Sequence, residues 1–200
     1  MTEMDPDLEL VRQCRSDDRD VFESAFFAIY KKYSERVFNI SYRILGNRDD
    51  ALDVTQDSFI KLFKKIKDFR EDAKFYTWFY RIVVNLCIDK KRKQGAHPVF
   101  MESDHEGSLA DLPDGKGSII DKKAADEHLE KKIQACLLRL TPNLRIVVVL
   151  RYIEGMMYSE MAEALECSIG TIKSRLNRAH RSLENLLKTE IDLVRRRRTP

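Results

Sequence analysis

A chain of 200 residues, of which 43% are hydrophobic and 34% are charged, is long enough for two small domains and does not require one large core. Its longest strongly apolar run, residues 146–150, is too short to cross a bilayer, and its acidic start lacks the apolar centre of a signal peptide. We therefore expect a soluble, cytoplasmic protein without direct membrane insertion.

The formal net charge of +3 hides segments of alternating sign. Residues 61–93 carry 11 basic and 4 acidic side chains, residues 94–130 carry 3 and 9, and residues 173–200 carry 9 and 3. The two basic segments favour two contacts with a polyanion, although solvated helix faces would give the same totals.

Residues 1–93 predict a bundle of three helices. Apolar residues recur at three- and four-residue steps over residues 21–45, and a helix stop follows at Gly46-Asn47. The second helix starts near residues 49–50 and carries apolar positions to Ile66, and the third runs from about residue 73 to residue 93.

The second predicted helix carries an acidic face. Asp53, Gln56 and Asp57 lie three and four residues apart, with no neighbour in the sequence that would neutralise them. The face is either a docking surface for a protein or simply solvated. Asp50 lies at the helix start, where the helix dipole favours negative charge.

The third predicted helix mixes aromatic residues with cations. Rings stack on unpaired bases and cations follow phosphates, so the mixture favours single-stranded nucleic acid. Core packing is the better interpretation for Trp78 and Phe79, and is less suitable for Tyr76 and the terminal cations. The residues concerned are Phe75, Tyr76, Trp78, Phe79 and Tyr80, followed by Arg81, Asn85, Lys90, Lys91, Arg92 and Lys93.

Residues 94–125 break the helical period and hold four of the seven glycines and two of the five prolines. Irregular chain of this length is more typical of a linker than of a domain interior. We therefore predict an all-α protein with one domain over residues 1–93, a flexible acidic linker over 94–125 and a second domain over 126–200.

The second domain predicts a helix-turn-helix motif over residues 158–181. Thr141 and Pro142 predict the start of an earlier helix, and Ser168 is a suitable N-cap for the last one, which runs to about residue 188. A helix with outward polar and basic residues can enter the major groove of DNA, although a basic solvated helix would look the same. Its outward residues come from Thr171, Lys173, Ser174, Arg175, Asn177, Arg178 and Arg181.

The sequence contains few patterns that are typical of catalytic or metal-binding sites. The four cysteines, Cys14, Cys87, Cys136 and Cys167, form no C-x-x-C pair, and we expect buried free thiols. No phosphate-binding loop, zinc-protease or nucleophile-elbow pattern occurs. We therefore expect no enzymatic activity, no metal and no cofactor.

Three motifs in the expected order resemble those of the extracytoplasmic-function (ECF) group of the sigma-70 superfamily. They are Leu45-Gly46-Asn47 with Asp50-Ala51-x-Asp53-x-x-Gln56-x-x-Phe59, then Phe75-x-Thr77-Trp78-Phe79-Tyr80-Arg81-Ile82-x-x-Asn85-x-x-x-Asp89, and finally Leu140-Thr141-Pro142 to Tyr152 with Gly170-Thr171-Ile172-Lys173-Ser174-Arg175-Leu176-x-Arg178-Ala179. The resemblance covers roughly residues 20–93 and 128–187.

The resemblance implies partners for each surface. Asp50, Asp53 and Gln56, with Asp57 and Phe59, would dock on the β′ clamp helices of core RNA polymerase, while the second domain would meet the β flap. Around the −10 element, Asn85 and residues 69–74 would capture an unpaired base, assisted by Tyr76, Trp78, Arg81, Lys90, Lys91, Arg92 and Lys93. At the −35 element the promoter contacts would be Thr171, Lys173, Ser174, Arg175 and Arg178.

The resemblance also implies control by an anti-sigma factor, whose identity the sequence does not reveal. Two positions depart from the family pattern: Leu52 replaces a common glutamate, and Met157 replaces the usual serine or threonine cap, so that helix end frays or uses another partner. The cluster Arg195–Arg198 lies outside the resemblance and predicts at most a non-specific phosphate contact. The alternative functions are a helix-turn-helix regulator with an N-terminal sensing domain and, well below it, a nucleic-acid hydrolase.

Overall fold

The computed structural model describes residues 5–94 and 127–197, and in the second range it describes side chains over residues 130–186. All regular elements in these ranges are helical and none is a strand, which confirms the predicted all-α class. The chain divides into two compact units, one built largely on the first 97 residues and the other largely on the remainder. The predicted linker lies almost entirely outside the described residues.

The described part of the first unit holds four α-helices and one short 3₁₀ turn. These are α1 (Leu8–Gln13), α2 (Arg19–Leu45), α3 (Arg48–Lys65), the 3₁₀ turn Ile66–Asp68, and α4 (Phe75–Lys93). The second unit holds α5 (Glu127–Arg139), α6 (Pro142–Val148), a π-helical turn Val149–Ile153, α7 (Tyr158–Ala164) and α8 (Ile169–Arg197).

Local sequence signals set the junction between α2 and α3. Gly46 ends α2 in the left-handed region at φ 76°, a conformation that favours glycine, and its N–H donates to the Tyr42 carbonyl. The Asn47 side chain then accepts a hydrogen bond from the Asp50 N–H at 2.9 Å and so caps α3. The predicted helix stop is confirmed, and α3 begins at Arg48, one or two residues before the expected start.

Helix α2 lies at the centre of the first unit, in contact with α1, α3 and α4. The core is aromatic: the Tyr33 ring packs edge-on against Phe75 and Phe79 at centroid distances of 5.7 and 5.9 Å. Phe59 packs against Phe79 at 5.3 Å and is only 7% exposed. The interpretation of Phe79 as a core residue is confirmed. Phe59, which is predicted to contact polymerase, also stabilises the bundle from the inner side of α3.

The cysteines divide into two kinds. Cys14 and Cys87 are fully buried free thiols, and burial raises their pKa values to about 11 and about 12. Cys136 and Cys167 are half-buried, so the prediction of buried thiols is confirmed for only the first pair. Among the described residues no group of His, Cys, Asp or Glu could hold a metal ion, and no helix is long and apolar enough to cross a membrane.

A buried arginine joins the first two helices of the second unit. The Arg145 guanidinium, in α6, donates from Nε to the Leu137 carbonyl at 2.8 Å and from Nη2 to the carbonyls of Leu138 and Leu140, both at 2.9 Å. Leu137 and Leu138 lie in the last turn of α5 and Leu140 directly follows it, a place where the helix itself supplies few donors for backbone carbonyls. Thr141 precedes α6 as predicted, but its side chain makes no capping hydrogen bond. Pro142 occupies the first turn of α6 as expected.

We expect Arg145→Met to destabilise the second unit by about 3 kcal/mol, because methionine fills the space of the arginine stem but removes three hydrogen bonds and leaves the buried Leu140 carbonyl without its arginine donor. Urea unfolding of the whole chain measures this. The single tryptophan, Trp78, lies in the first unit, so its fluorescence should keep its midpoint while a circular-dichroism transition moves to lower urea. Arg139→Met, at an exposed position of α5, is the control and should cost under about 0.5 kcal/mol. Equal midpoints for Arg145→Met and Arg139→Met would contradict the capping role.

Candidate nucleic-acid interface

Helix α3 has one side buried in the bundle and an exposed face that carries both acidic and apolar side chains. Asp53, Gln56 and Asp57 are exposed, and the apolar side chains of Leu52 and Ile60 beside them are 49% and 46% exposed. Because solvated helix faces seldom carry large apolar residues within an acidic patch, this face has the composition of a protein-binding surface.

The acidic face is partly neutralised by α4, and the expectation of an unneutralised face is wrong. The Lys90 ammonium lies 2.9 Å from an Asp53 carboxylate oxygen and 3.1 Å from one of Asp50. The Gln94 amide donates to the other Asp50 oxygen at 2.8 Å. The hydrogen bond from Gln94, followed by that from Lys90, lowers the pKa of Asp50, and the bonds to Asp53 and Asp50 raise the pKa of Lys90. Sequence patterns gave no sign of these contacts, because Lys90 lies 37 residues from Asp53 and Gln94 lies 44 residues from Asp50.

The predicted nucleic-acid residues of α4 consequently point in different directions. Lys90 turns toward α3, whereas Asn85, Arg92 and Lys93 are exposed. Arg92 also lies 3.7 Å from Asp89, one turn earlier on the helix. An amide and two cations along one exposed face suit contact with a base edge and the adjoining phosphates.

Of the aromatic residues at the start of α4, Tyr76 and Trp78 are half-buried, while Phe75, Phe79 and Tyr80 are buried. Trp78 packs against Phe69 at a centroid distance of 5.2 Å, and Tyr76 lies under the Lys74 ammonium at 5.8 Å from the ring centre. Arg81 and Lys91 are also half-buried. Tyr76 and Trp78 are therefore partly accessible to solvent while they pack against neighbouring side chains.

The loop before α4 is held in an unusual conformation. The backbone of Glu71 has φ 62°, which lies in the left-handed region that residues other than glycine seldom adopt. Its carboxylate pairs with Arg12 at 2.8 Å and with Arg15 at 2.7 Å. Sequence reasoning missed both arginines, because α1 is only six residues long and has no apolar period of its own.

In the second unit, caps at both helices fix the helix-turn-helix motif. The Ser168 hydroxyl accepts from the Thr171 N–H at 3.0 Å, which confirms the predicted N-cap of α8. At the start of α7, the Glu160 carboxylate accepts from the Met157 N–H at 2.8 Å. Glu160 therefore supplies the carboxylate half of a capping box, while Met157 has no hydroxyl to accept from the N–H groups of the first turn.

Helix α8 presents its polar residues as expected, although less openly. Ile172, Leu176 and Ala179 are fully buried, which confirms the buried stripe apart from the half-buried Leu183. The predicted contact residues on the other sides are all half-buried: Thr171, Lys173, Ser174, Arg175 and Arg178.

Two of the predicted contact hydroxyls are used inside the helix. Thr171 Oγ1 lies 2.9 Å from the Ser168 hydroxyl, and Ser174 Oγ donates to the Thr171 carbonyl at 3.1 Å. The arginines and Lys173 therefore have the stronger chemistry for reading DNA, since a guanidinium can bond both acceptors on the major-groove edge of guanine.

Gly170 leaves the first turn of α8 bare. It is exposed, and an added Cβ would meet only the Ser168 hydroxyl, at an ordinary contact distance of 3.5 Å. Packing among the described residues therefore leaves room for a side chain at this position.

Two family models match the chain. The model for sigma-70 region 2 matches residues 29–97, and the model for sigma-70, region 4, matches residues 130–183.

Full-length relatives carry the same description. The chain is 31% identical over 193 residues to the ECF RNA polymerase sigma-E factor of Haemophilus influenzae, covering 92% of this chain and 97% of the relative. It is 30% identical over 182 residues to the ECF RNA polymerase sigma factor SigW of Bacillus subtilis, covering 89% and 95%. It is 27% identical over 192 residues to the RNA polymerase sigma-H factor of Pseudomonas aeruginosa, covering 94% and 96%.

Two solved structures share the fold. CnrH, in complex with the cytosolic domain of CnrY, has a TM-score of 0.67 at 23% identity and covers 92% of this chain and 97% of its own. The sigma factor RpoE of Bartonella quintana, in complex with the anti-sigma factor NepR, has a TM-score of 0.62 at 24% identity and covers 82% and 96%.

Proposed function

Because the chain belongs to the extracytoplasmic-function group of sigma-70 RNA polymerase sigma factors, we propose that it docks on core RNA polymerase through α3 and directs initiation at specific promoters. The observation that carries the proposal is the exposed face of α3, where Asp53, Gln56 and Asp57 lie among the apolar side chains of Leu52 and Ile60. A regulator that acts on DNA alone has no use for such a face.

Each part of the chain has a separate role in this proposal. Residues 1–93 act as sigma region 2, which meets the β′ clamp helices and opens the −10 element. Residues 126–200 act as region 4, which meets the β flap and reads the −35 element with α8. Residues 94–125 connect them, and a fully extended segment of that length reaches about 100 Å at ~3.3 Å per residue. The two promoter elements are roughly 70 Å apart at ~34 Å per helical turn, so both units can act at once.

Opening of the −10 element follows from the chemistry of α4 and the loop before it. An unpaired base that leaves the duplex loses its stacking partners, and the half-buried rings of Tyr76 and Trp78 offer new ones. Asn85 offers an amide to the base edge, while Arg81, Lys91, Arg92 and Lys93 hold the phosphates. The protein supplies binding energy for strand separation and leaves the chemistry of RNA synthesis to polymerase, so it is not itself an enzyme. It works in the cytoplasm, where bacterial polymerase and DNA are found.

We also propose control by an anti-sigma factor that covers the α3 and α8 faces. The complex of RpoE with the anti-sigma factor NepR supports this, since that sigma factor shares the present fold. A protein that co-purifies from native cells and suppresses transcription in proportion to its concentration would establish the inhibitor. Transcription that is unaffected by every co-purifying protein would count against it.

Run-off transcription tests the proposed function. Core polymerase is incubated with a library of genomic promoter fragments, with the protein added or omitted. We expect a set of transcripts that starts only when the protein is present. If no transcript depends on the protein, and the chain alone binds an inverted repeat tightly, the function is that of a helix-turn-helix regulator instead.

A further inference from the structure

The residues that precede α2 converge on the start of α4. The Asp5 carboxylate accepts from the Phe75 N–H at 2.5 Å and from the Asp7 N–H at 3.0 Å. Phe75 is the first residue of α4, and Lys74 before it has no acceptor with which to cap the helix. A side chain 70 residues earlier in the chain therefore supplies the cap of α4.

The same segment is fastened to the central helix. Asp7 is almost fully buried, and its carboxylate accepts from the Tyr33 hydroxyl at 2.5 Å and pairs with Lys32. Burial, and then the hydrogen bond to Asp7, raise the pKa of Tyr33, so its hydroxyl keeps the proton that it donates. This anchor fixes residues 5–7 against α2 independently of the loop before α4.

From that fixed base, two arginines reach the loop. Arg15 donates from Nη1 to Glu71 at 2.7 Å and from Nη2 to the carbonyl of Phe69, and Arg12 holds the other Glu71 oxygen at 2.8 Å. Two guanidinium groups on one carboxylate offset the unfavourable backbone conformation of Glu71. The neighbours Arg70 and Asp72 are exposed, so the grip fixes the backbone without covering the outer side chains.

The polar contacts of this segment divide between two places. The Asp7 side chain bonds to α2, whereas those of Asp5, Arg12 and Arg15 all act on residues 69–75. Those residues include the loop to which the proposed function assigns an unpaired promoter base. The contacts therefore gather at the element that must have a fixed shape before the base arrives.

We propose that residues 5–15 form a clasp in which Arg12 and Arg15 are positioning residues for −10 recognition. By holding Glu71, they keep residues 69–74 in the shape that accepts one base and rejects others. The clasp determines how strongly the protein discriminates between bases in the −10 element. Polymerase docking depends on α3 and not on the clasp. The inference rests on the proposed function, because it requires the loop to receive promoter DNA.

Hydrogen exchange tests the grip without promoter or polymerase. We expect the double variant Arg12→Ala, Arg15→Ala to speed exchange in peptides spanning residues 69–77, while peptides of α3 keep native rates. The control is Arg19→Ala, which removes the exposed ion pair between Arg19 and Glu23 on α2. Native exchange at residues 69–77 in the double variant would overturn the clasp whatever the protein does to DNA.

Promoter discrimination tests the positioning role. Holoenzyme is assayed for open-complex formation on a promoter obtained by run-off transcription and on variants of each −10 position. One wrong base typically costs 1–3 kcal/mol, so the native chain should discriminate roughly 5- to 150-fold at the captured base. The double variant should lose most of this ratio, with unchanged affinity for core polymerase and unchanged discrimination at −35.

A thermodynamic cycle separates positioning from general loosening. Arg15→Ala and Glu71→Gln share the contact between Arg15 and Glu71, so together they should reduce discrimination by less than the sum of their separate effects. Additive losses, or native discrimination in the double arginine variant, would overturn the proposal. If the native chain directs no transcription at all, the proposed function fails instead, and the exchange result still stands as a separate finding.

Discussion

Replacing Asp53 and Gln56 together by alanine is expected to abolish initiation by removing docking on core polymerase. A charged interfacial contact is worth 2 kcal/mol or more, so core affinity should fall at least about 30-fold. The fold should survive, because both side chains are exposed and neither fills the bundle core. Competition binding with labelled core polymerase measures the affinity, and run-off transcription measures the consequence.

The contact between Lys90 and Asp53 adds a second expected effect of the Asp53 change. With one of its two carboxylates gone, Lys90 becomes more available to phosphates, so non-specific DNA binding should increase while polymerase binding collapses. A general misfolding effect would weaken both. The matched control is Glu35→Ala with Asn39→Ala, an exposed acid and amide one turn apart on α2. Full transcript yield from the Asp53 and Gln56 variant would contradict docking through α3.

Arg175→Ala is expected to remove the preference of the holoenzyme for its −35 element. A guanidinium that reads a base contributes roughly 1–3 kcal/mol of discrimination, so transcription should fall roughly 5- to 150-fold on the native promoter. On a promoter whose −35 element has been scrambled, variant and native protein should give the same yield. The ratio between the two promoters is the measurement, because it cancels differences in protein activity.

The control for Arg175 is Lys132→Ala, an exposed cation of α5 outside the proposed DNA surface. It lowers the charge of the second unit by the same amount and should preserve the −35 preference. If Arg175→Ala reduces yield equally on native and scrambled promoters, Arg175 contacts phosphate only, and base reading belongs to another residue of α8.

Short-range chemistry made much of the fold predictable. Gly46 and Asn47 end one helix and cap the next, and Ser168 caps α8, each through contacts within four residues. Such signals act locally, so the sequence carries them directly. The all-α class and the buried stripe of α8 were predictable for the same reason, because helical periodicity is a property of neighbouring residues.

Contacts between distant segments were not predictable. Lys90, which is predicted to hold DNA, also pairs with Asp50 and Asp53, because α4 packs against α3. Phe59 matches a family motif at the polymerase-binding helix, yet its place on the inner side of α3 buries it. A motif identifies which residues recur, whereas their roles depend on the side of the helix that faces the core.

The start of α7 has one of the two hydrogen bonds of a capping box and lacks the other. Met157 lacks a hydroxyl, and its N–H is satisfied by Glu160, three residues along the helix. The spacing is that of the carboxylate half of a capping box, which works without the serine or threonine half. The sequence contained this partner, but the first turn of a seven-residue helix gave no period to reveal it.

Permanganate footprinting tests the central claim most directly, because it detects unpaired thymines in the promoter itself. The protein and core polymerase are added separately and together to a promoter that gives a protein-dependent transcript. We expect reactive thymines in the −10 element only when both are present, and none when the Asp53 and Gln56 variant replaces the native chain. Thymines that react without the protein, or stay protected with the full holoenzyme, would contradict its role in opening promoter DNA.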